Sequence, residues 1–396
     1  MLRYLTAGES HGPALTAILE GMPSIVPVDA ADINADLVRR MGGYGRGGRM
    51  KIEKDAVEIL GGIRHGKTLG GPISLLIRNR DWPNWQVTMA PDAAAAHQAP
   101  ERPPMTRPRP GHADLAGGQK YDHHDLRNVL ERASARETAV RVAVGAVCKC
   151  LLREFGIRVV SHVIEMGGIR AHTERLSPPE IADLAEGSPV RCVDPAATRQ
   201  IMAKIDEAQA KGTSLGGVFE VMALDVPVGL GTHVHWDRRL DGRLAQALMS
   251  IQAIKGVEIG PAFEVARAWG CDVQDEIHYR PCGQSGAGPE GFYRQTNFAG
   301  GLEGGITTGQ PIVLRAAMKP ISTQHQPLLS VDVVSKEPNR AGVERTDVTA
   351  VPAAAVVGEA VVAFEIARAL REKFGGDSLP EMRRNYAGYL GYLSSW

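Results

Sequence analysis

Histidines and arginines set among glycines are the residues of this sequence with the most chemistry to offer. His11 stands in Gly8-Glu9-Ser10-His11-Gly12, Arg40, Arg46 and Arg49 flank a glycine loop at 42–48, Arg109 and His112 share RPGHAD, and Arg132 and Arg136 bracket Ser134. A guanidinium stays charged at any working pH and matches the planar oxygens of a carboxylate or phosphate. Several gathered on one site therefore specify a small, multiply anionic ligand, whereas each taken singly is as readily a solvated surface residue. An imidazole titrates near neutrality and suits proton donation to a departing phosphate; hydrogen-bonded structural roles for His11 and His112 remain open. Asp347, in Arg345-Thr346-Asp347, can equally cap the helix that follows. No His, Cys, Asp or Glu set has metal-ligand spacing, so no metal is expected.

Three other motifs carry chemistry only on paper. Gly61 to Thr68 has the spacing of a phosphate-binding loop centred on Lys67, but Leu69-Gly70-Gly71-Pro72 follows where a helix must open. Gly43 to Gly48 fits the dinucleotide fingerprint yet comes after a helix and before a strand, the reverse of the required order. Read as an RNA-binding Gly/Arg segment it is a single copy without interleaved aromatics, so no nucleic-acid partner is expected. The GESHG stretch mimics a hydrolase nucleophile elbow at Ser10, but Gly-Met-Pro cuts the segment after it short.

The elements that must position these residues are legible in part. Residues 29–40 read as a helix capped by Asp29, with Ile33 and Leu37 four apart. Residues 50–60 and 72–81 read as strands, as do 217–227, 263–273 and 311–320. Ser134-Ala135-Arg136-Glu137 has the form of a capping box, and a helix of about twenty residues is expected just after it. Its amides and dipole make an anion seat. Further helices are expected at 178–186, 195–210, 238–254 and 353–373, the last ending at Gly375-Gly376. Residues 91–113, rich in Ala, Pro and Arg, are expected to form a long mobile loop that covers a site. With no repeat or compositional break, one α+β domain over 1–396 with a tail at 386–396 is the economical reading.

Composition bounds the partners. Lys plus Arg equals Asp plus Glu at 45 each, so no global field exists to hold a polyanion or an anionic membrane, and any anion site must be local. The cysteines, Cys148, Cys150, Cys192, Cys271 and Cys282, lack metal-like or disulfide-like spacing and read as reduced, buried thiols. MLRYLTAGESHG has no uninterrupted apolar stretch, and no run of 18 apolar residues follows; a cytoplasmic location without membrane contact is expected.

At these residues the sequence resembles the chorismate synthase family over nearly its full length. Gly8 to Gly12 with Leu19-Glu20-Gly21-Met22-Pro23 is similar to the family's first signature, Glu131 to Thr138 to its second, and Arg345-Thr346-Asp347 with Glu359 to its third. RPGHAD, Gln252 to Glu258, Gly304 to Gly309 and Lys319 to Thr323 fall between them in the family's order. The resemblance implies antiparallel sheets packed with helices in a βαβ sandwich, assembled as a homotetramer. It implies an anti 1,4-elimination of phosphate from 5-enolpyruvylshikimate 3-phosphate, in which reduced FMN lends an electron and recovers it. FMN would lie against Arg132, Ala133, Ser134, Gln252, Ala253, Gly304, Lys319, Pro320, Ile321, Ser322, Thr323 and Arg345. Arg40, Arg46, Arg49, Arg109 and Arg136 would grip the substrate, Arg40 and Arg46 also being candidates to touch NADPH. By the same resemblance His11 protonates the departing phosphate, His112 stabilises charge on the flavin, and Asp347 assists deprotonation through flavin N5. NADPH used directly, or an external flavin reductase, would supply the reduction. Thr346 and GGITTG depart from the commoner family residues and bear only on fine flavin contacts.

Overall fold

The computed structural model describes residues 1–47, 54–93, 102–173, 176–281, 290–344 and 346–396. Arg49, Arg345 and Cys282 lie outside them, as do 94–101 of the expected loop and most of the first half of the expected 50–60 strand.

Alternation builds the first sheet. Strands β1 (Arg3–Ala7), β2 (Ala14–Glu20), β3 (Val57–Gly61) and β4 (Ile73–Arg78) pair in the order β1-β2-β4-β3, every pair antiparallel. On β2 the residues Leu15, Ala17 and Leu19 are buried, and they oppose Ile77, Leu75 and Ile73 on β4. One face thus packs inward while Ile18 looks out, as period-two side chains require. Helix α1 (Ala30–Met41) lies between β2 and β3, opened by Asp29, whose side chain accepts from Ala31 N while Asp32 reaches back to the cap. That capping box satisfies amides at both the first turn and the cap.

The second sheet runs β8-β9-β7-β5-β6 and is again antiparallel throughout, from β5 (Arg158–Met166), β6 (Ile169–Arg170), β7 (Gly217–Leu224), β8 (Ile254–Ile259) and β9 (Ile312–Met318). Helices α2 (Asp114–Tyr121), α3 (Arg127–Ala133) and α4 (Thr138–Arg153) precede β5. α5 (Pro178–Glu186) and α6 (Pro195–Ala210) separate β6 from β7, and α7 (Leu240–Met249) leads to β8. α8 (Val351–Phe374) and α9 (Leu379–Ser395) follow β9. The architecture is α+β, with mixed helices and antiparallel sheets.

Two helices join the sheets. α4 packs on β2 and β4, α8 packs on β5 and β7, and α4 and α8 pack on each other. α8 is buried on almost all sides from Val351 through Leu370, and apart from Glu359, Glu365 and half-buried Arg368 its sequence there is apolar or small around the circumference. The two backbones approach closely: a Cβ on Gly145 would lie 2.4 Å from the Cα of Ala360. Glu359, 0% exposed, crosses this apolar layer and is met by Arg39, Lys149, Arg191 and Ser161. Burial opposes its ionisation, but Lys149, Arg39 and Arg191 outweigh that and hold the carboxyl well below the usual carboxylate range.

Several expectations change here. Residues 263–273 form two short helices, Ala262–Val265 and Gly270–Val273, with Phe263 and Trp269 exposed and no sheet neighbour to make a strand. The 238–254 helix ends at Met249, because Ala253 takes a left-handed φ of 67° and the chain enters β8. The 386–396 tail is the end of α9. Cys148, Cys150 and Cys192 are buried free thiols, but Cys271 is exposed. The phosphate-loop motif is a hairpin, Ile63–Arg64 against Lys67–Thr68, with Lys67 exposed and strand β4 rather than a helix after it. GESHG is a β1 to β2 connection, so no strand-to-helix elbow exists at Ser10. No helix among the described residues is long and apolar enough to cross a membrane.

Candidate active site

A cavity of about 1110 Å³ opens where the β1–β2 connection, the end of α1, the α3–α4 junction, the α7–β8 turn, the segment after β9 and the start of α8 converge. His11, His112 and Asp347 line it, together with Arg40, Arg46, Arg109 and Arg136. Ala133, Ser134, Gln252, Ala253, Lys319, Ile321, Ser322 and Thr323 complete the expected residues on its wall.

Each histidine leans on a carboxylate. His11 Nδ1 is 2.8 Å from Glu131 Oε1, and the amide of the same residue donates to Glu131 Oε2 at 2.7 Å. Its ring stacks on Trp85, centroids 3.8 Å apart, and Trp85 donates through Nε1 to Asp81. His112 Nδ1 is 2.6 Å from Asp114 Oδ1. An ionised carboxylate only accepts, so each ring carries a proton on Nδ1, and Nε2 is the nitrogen left to take up and hand on a second one. Asp114 is desolvated, but hydrogen bonds from His112 and Arg109 prevail and hold its carboxyl far below the ordinary range.

The arginines divide into two kinds. Arg109 is spent within the protein: Nε and Nη2 meet Asp114, and Nη1 donates to Thr323 Oγ1 at 2.7 Å. Arg40 donates through Nε to Thr138 Oγ1 and through Nη2 to Ala135 O, and Arg136 pairs with buried Asp55 at 2.6 Å. Arg46 Nη1 stands 3.2 Å from Asp347 Oδ2, while Asp347 Oδ1 accepts the Gly47 amide at 2.6 Å. A side chain at Gly47 would press within 2.6 Å of Thr346 O, so this approach requires glycine. Lys319 is tethered to Gly111 O and Ser322 Oγ.

Three expected positions fall elsewhere. Arg132 donates to Thr6 and Gly8 carbonyls and lines a separate, shallower recess of about 310 Å³, which shares Gln252 with the main cavity. Gly304 sits in the turn between Leu302–Glu303 and Ile306–Thr307, where an added Cβ would meet His233 Cβ at 3.8 Å, and Gly304 and Pro320 are both absent from the lining. The Ser134 hydroxyl does accept from Arg136 N, but Glu137 turns to Gln252 instead of closing the capping box, and a 3-10 turn at Ala135–Glu137 precedes α4. Sequence reasoning missed Trp85, Asp81 and Arg102, which line the cavity, and Glu131 as a partner of His11.

One atom tests whether a flavin fits. Gln252 donates through Nε2 to Glu137 at 2.8 Å, yet its Oε1 is buried without a hydrogen-bond partner among the described residues. An unmet buried acceptor costs about 1–3 kcal/mol. A ligand ring N–H would satisfy it, and a flavin carries one.

The sequence profile of the family described as chorismate synthase matches residues 2–370. The chain belongs to the chorismate synthase family. It is 58% identical to the chorismate synthase of Geobacter sulfurreducens over 396 residues, covering all of both chains, and 55% identical to that of Aquifex aeolicus over 405 residues, covering 100% of this chain and 99% of that one. A crystal structure of a chorismate synthase superposes with a TM-score of 0.79 at 45% identity, covering 100% of this chain and 99% of that one. Chorismate synthases are carbon–oxygen lyases of the shikimate pathway, and the reaction of this chain is the release of phosphate from 5-enolpyruvylshikimate 3-phosphate to give chorismate.

Proposed function

We propose that this elimination takes place in the cavity bounded by His11, His112 and Asp347, with reduced FMN as the bound cofactor. The observation that carries the reading is the convergence of two carboxylate-backed imidazoles, one carboxylate and the Arg40, Arg46 and Arg136 guanidiniums on one cavity. Such a wall suits one phosphate and two carboxylates on a small ring, and fixed charges of this kind carry most of the stabilisation in phosphate departure. Arg49 is assigned with them to substrate. Arg109 is reassigned to holding Asp114 and His112, because its donors are already engaged.

Gln252, Ala253, Ala133, Ser134 and Lys319 to Thr323 hold the flavin in this reading, with Arg132 and Gly304 assigned more remotely and Arg345 assigned to the flavin by the resemblance alone. Bound reduced flavin supplies transient electron donation that side chains lack. His11 Nε2 delivers a proton to the leaving phosphate, His112 Nε2 faces the negative charge of the reduced cofactor, and Asp347 serves the proton lost from C6. Arg40 and Arg46 are the candidates to meet NADPH, with an external reductase as the alternative supply. The sheet, α4, α8, sheet order of contacts supports a βαβ sandwich in one domain. A cytoplasmic homotetramer is the assembly we assign.

Anaerobic incubation with 5-enolpyruvylshikimate 3-phosphate and chemically reduced FMN tests the assignment. Chorismate and phosphate should appear in equal amounts, and not with oxidised FMN. Product formation independent of flavin would overturn it, and repeating the assay with NADPH and oxidised FMN decides between self-sufficiency and an external reductase.

A further inference from the structure

We infer that Glu131 is the positioning residue that fixes His11 as a proton donor, an assignment that rests on the role of His11 proposed above. Its two carboxylate oxygens are divided between two donors of one residue: Oε2 takes the His11 amide at 2.7 Å and Oε1 takes ring Nδ1 at 2.8 Å. Backbone and ring are thereby clamped by a single side chain 120 residues away in sequence. The Glu131 carbonyl adds a third tie by accepting Ser10 N at 3.0 Å.

Steric and electrostatic neighbours complete the clamp. Trp85 stacks on the imidazole at 3.8 Å with 22° between the planes, which opposes rotation of the ring out of line. Arg127 Nη1 lies 3.6 Å from the same Oε1, and its guanidinium stands over Trp85 at 5.2 Å. Glu131 itself is 2% exposed, so water does not compete for its oxygens. It touches neither the cavity nor, in our reading, the substrate; it acts through His11.

The chemistry follows from donor and acceptor counting. Two donors need two acceptors, and a carboxylate has them, whereas a carboxamide has one acceptor and one donor group. In Glu131→Gln the amide either faces its NH₂ to the His11 backbone N–H, two donors in conflict, or faces it to Nδ1. The second choice makes Nδ1 an acceptor and moves the ring proton to Nε2. The anion facing the ring is lost either way, and with it the two-point hold on His11.

The test is Glu131→Gln in the full-length, flavin-loaded protein, beside His11→Ala. We expect kcat to fall about 100-fold with KM changed less than about threefold, since general acid catalysis contributes roughly 10²–10⁴. The limb of the pH–kcat profile that disappears in His11→Ala should be altered in Glu131→Gln. With ¹⁵N-histidine labelling, His11 should show its proton on Nδ1 in the native protein. A Glu131→Gln protein with native kcat and an unmoved pH limb sinks the inference while leaving His11 itself in place. A fully active His11→Ala removes the role of His11 instead. Should the Gln variant fail to fold, the native tautomer still decides: a proton found on Nε2 with Nδ1 bare overturns the clamp.

Discussion

Arg109 and Asp114 form a two-point pair, Nε to Oδ2 at 2.8 Å and Nη2 to Oδ1 at 3.1 Å, and the same Oδ1 receives His112 Nδ1 at 2.6 Å. One of the arginines that sequence alone directs to the ligand is therefore paired with the acid behind a histidine. Planar bidentate pairing of this kind fixes orientation as well as charge.

Removing the charge of Asp114 should loosen His112 without opening the cavity. Asp114→Asn is expected to lower kcat about 10- to 100-fold, the usual cost of losing a carboxylate behind a functional imidazole. Arg109→Lys should show a similar fall, because an ammonium cannot span both oxygens. Steady-state kinetics check this, and a loss confined to KM would return Arg109 to direct substrate binding.

Glu359 predicts a pH dependence of stability. Its folded pKa is depressed below the ordinary value of 4.5, so its contribution is present above that value and is lost as pH falls below it toward the folded value. Urea midpoints should decline as pH falls below 4.5 more steeply for the native protein than for Glu359→Gln. At neutral pH that variant leaves Arg39, Lys149 and Arg191 with the less buried Asp36 and Glu186 as their carboxylate partners and should lose about 3–5 kcal/mol.

Gln252 should report cofactor binding without catalysis. If its bare Oε1 accepts from the flavin ring, Gln252→Leu is expected to weaken flavin affinity about 10-fold, the equivalent of one hydrogen bond of ~1.4 kcal/mol. Quenching of flavin fluorescence measures this directly, and unchanged affinity places the ring elsewhere.

Lys67 offers a control. Exposed on a hairpin, it has no part in the cavity, and Lys67→Met should retain full activity with no ATP binding before or after the change.

Local codes were readable where local interactions decide. Helices α5 and α6 run over the residues expected, since Ser177 and Asp194 cap them and Pro178 and Pro195 start them. Alternation at 263–273 misled because Phe263 and Trp269 are exposed, and an alternating pattern without a sheet to join specifies nothing. Glu137 has the spacing of a capping box, but Gln252, 115 residues away, competes for its oxygen. Arginine-rich glycine motifs correctly gathered Arg40, Arg46, Arg109 and Arg136 on one cavity. Their acidic partners Asp55, Asp114 and Asp347 were not legible in the same way, since only Asp114, five residues after Arg109, lies near its arginine in sequence.

The burial of α8 on almost every side has a consequence for synthesis. At least 350 residues must leave the ribosome before its first turn exists, which at about 5–20 residues per second takes tens of seconds. Through that interval the inner faces of α4, β5 and β7 have no cover, and apolar surface of that extent draws chaperones or sticks to its like. Emergence of α8 is therefore the event that commits the nascent chain, and substitutions along it should reduce soluble yield out of proportion to their effect on the finished protein.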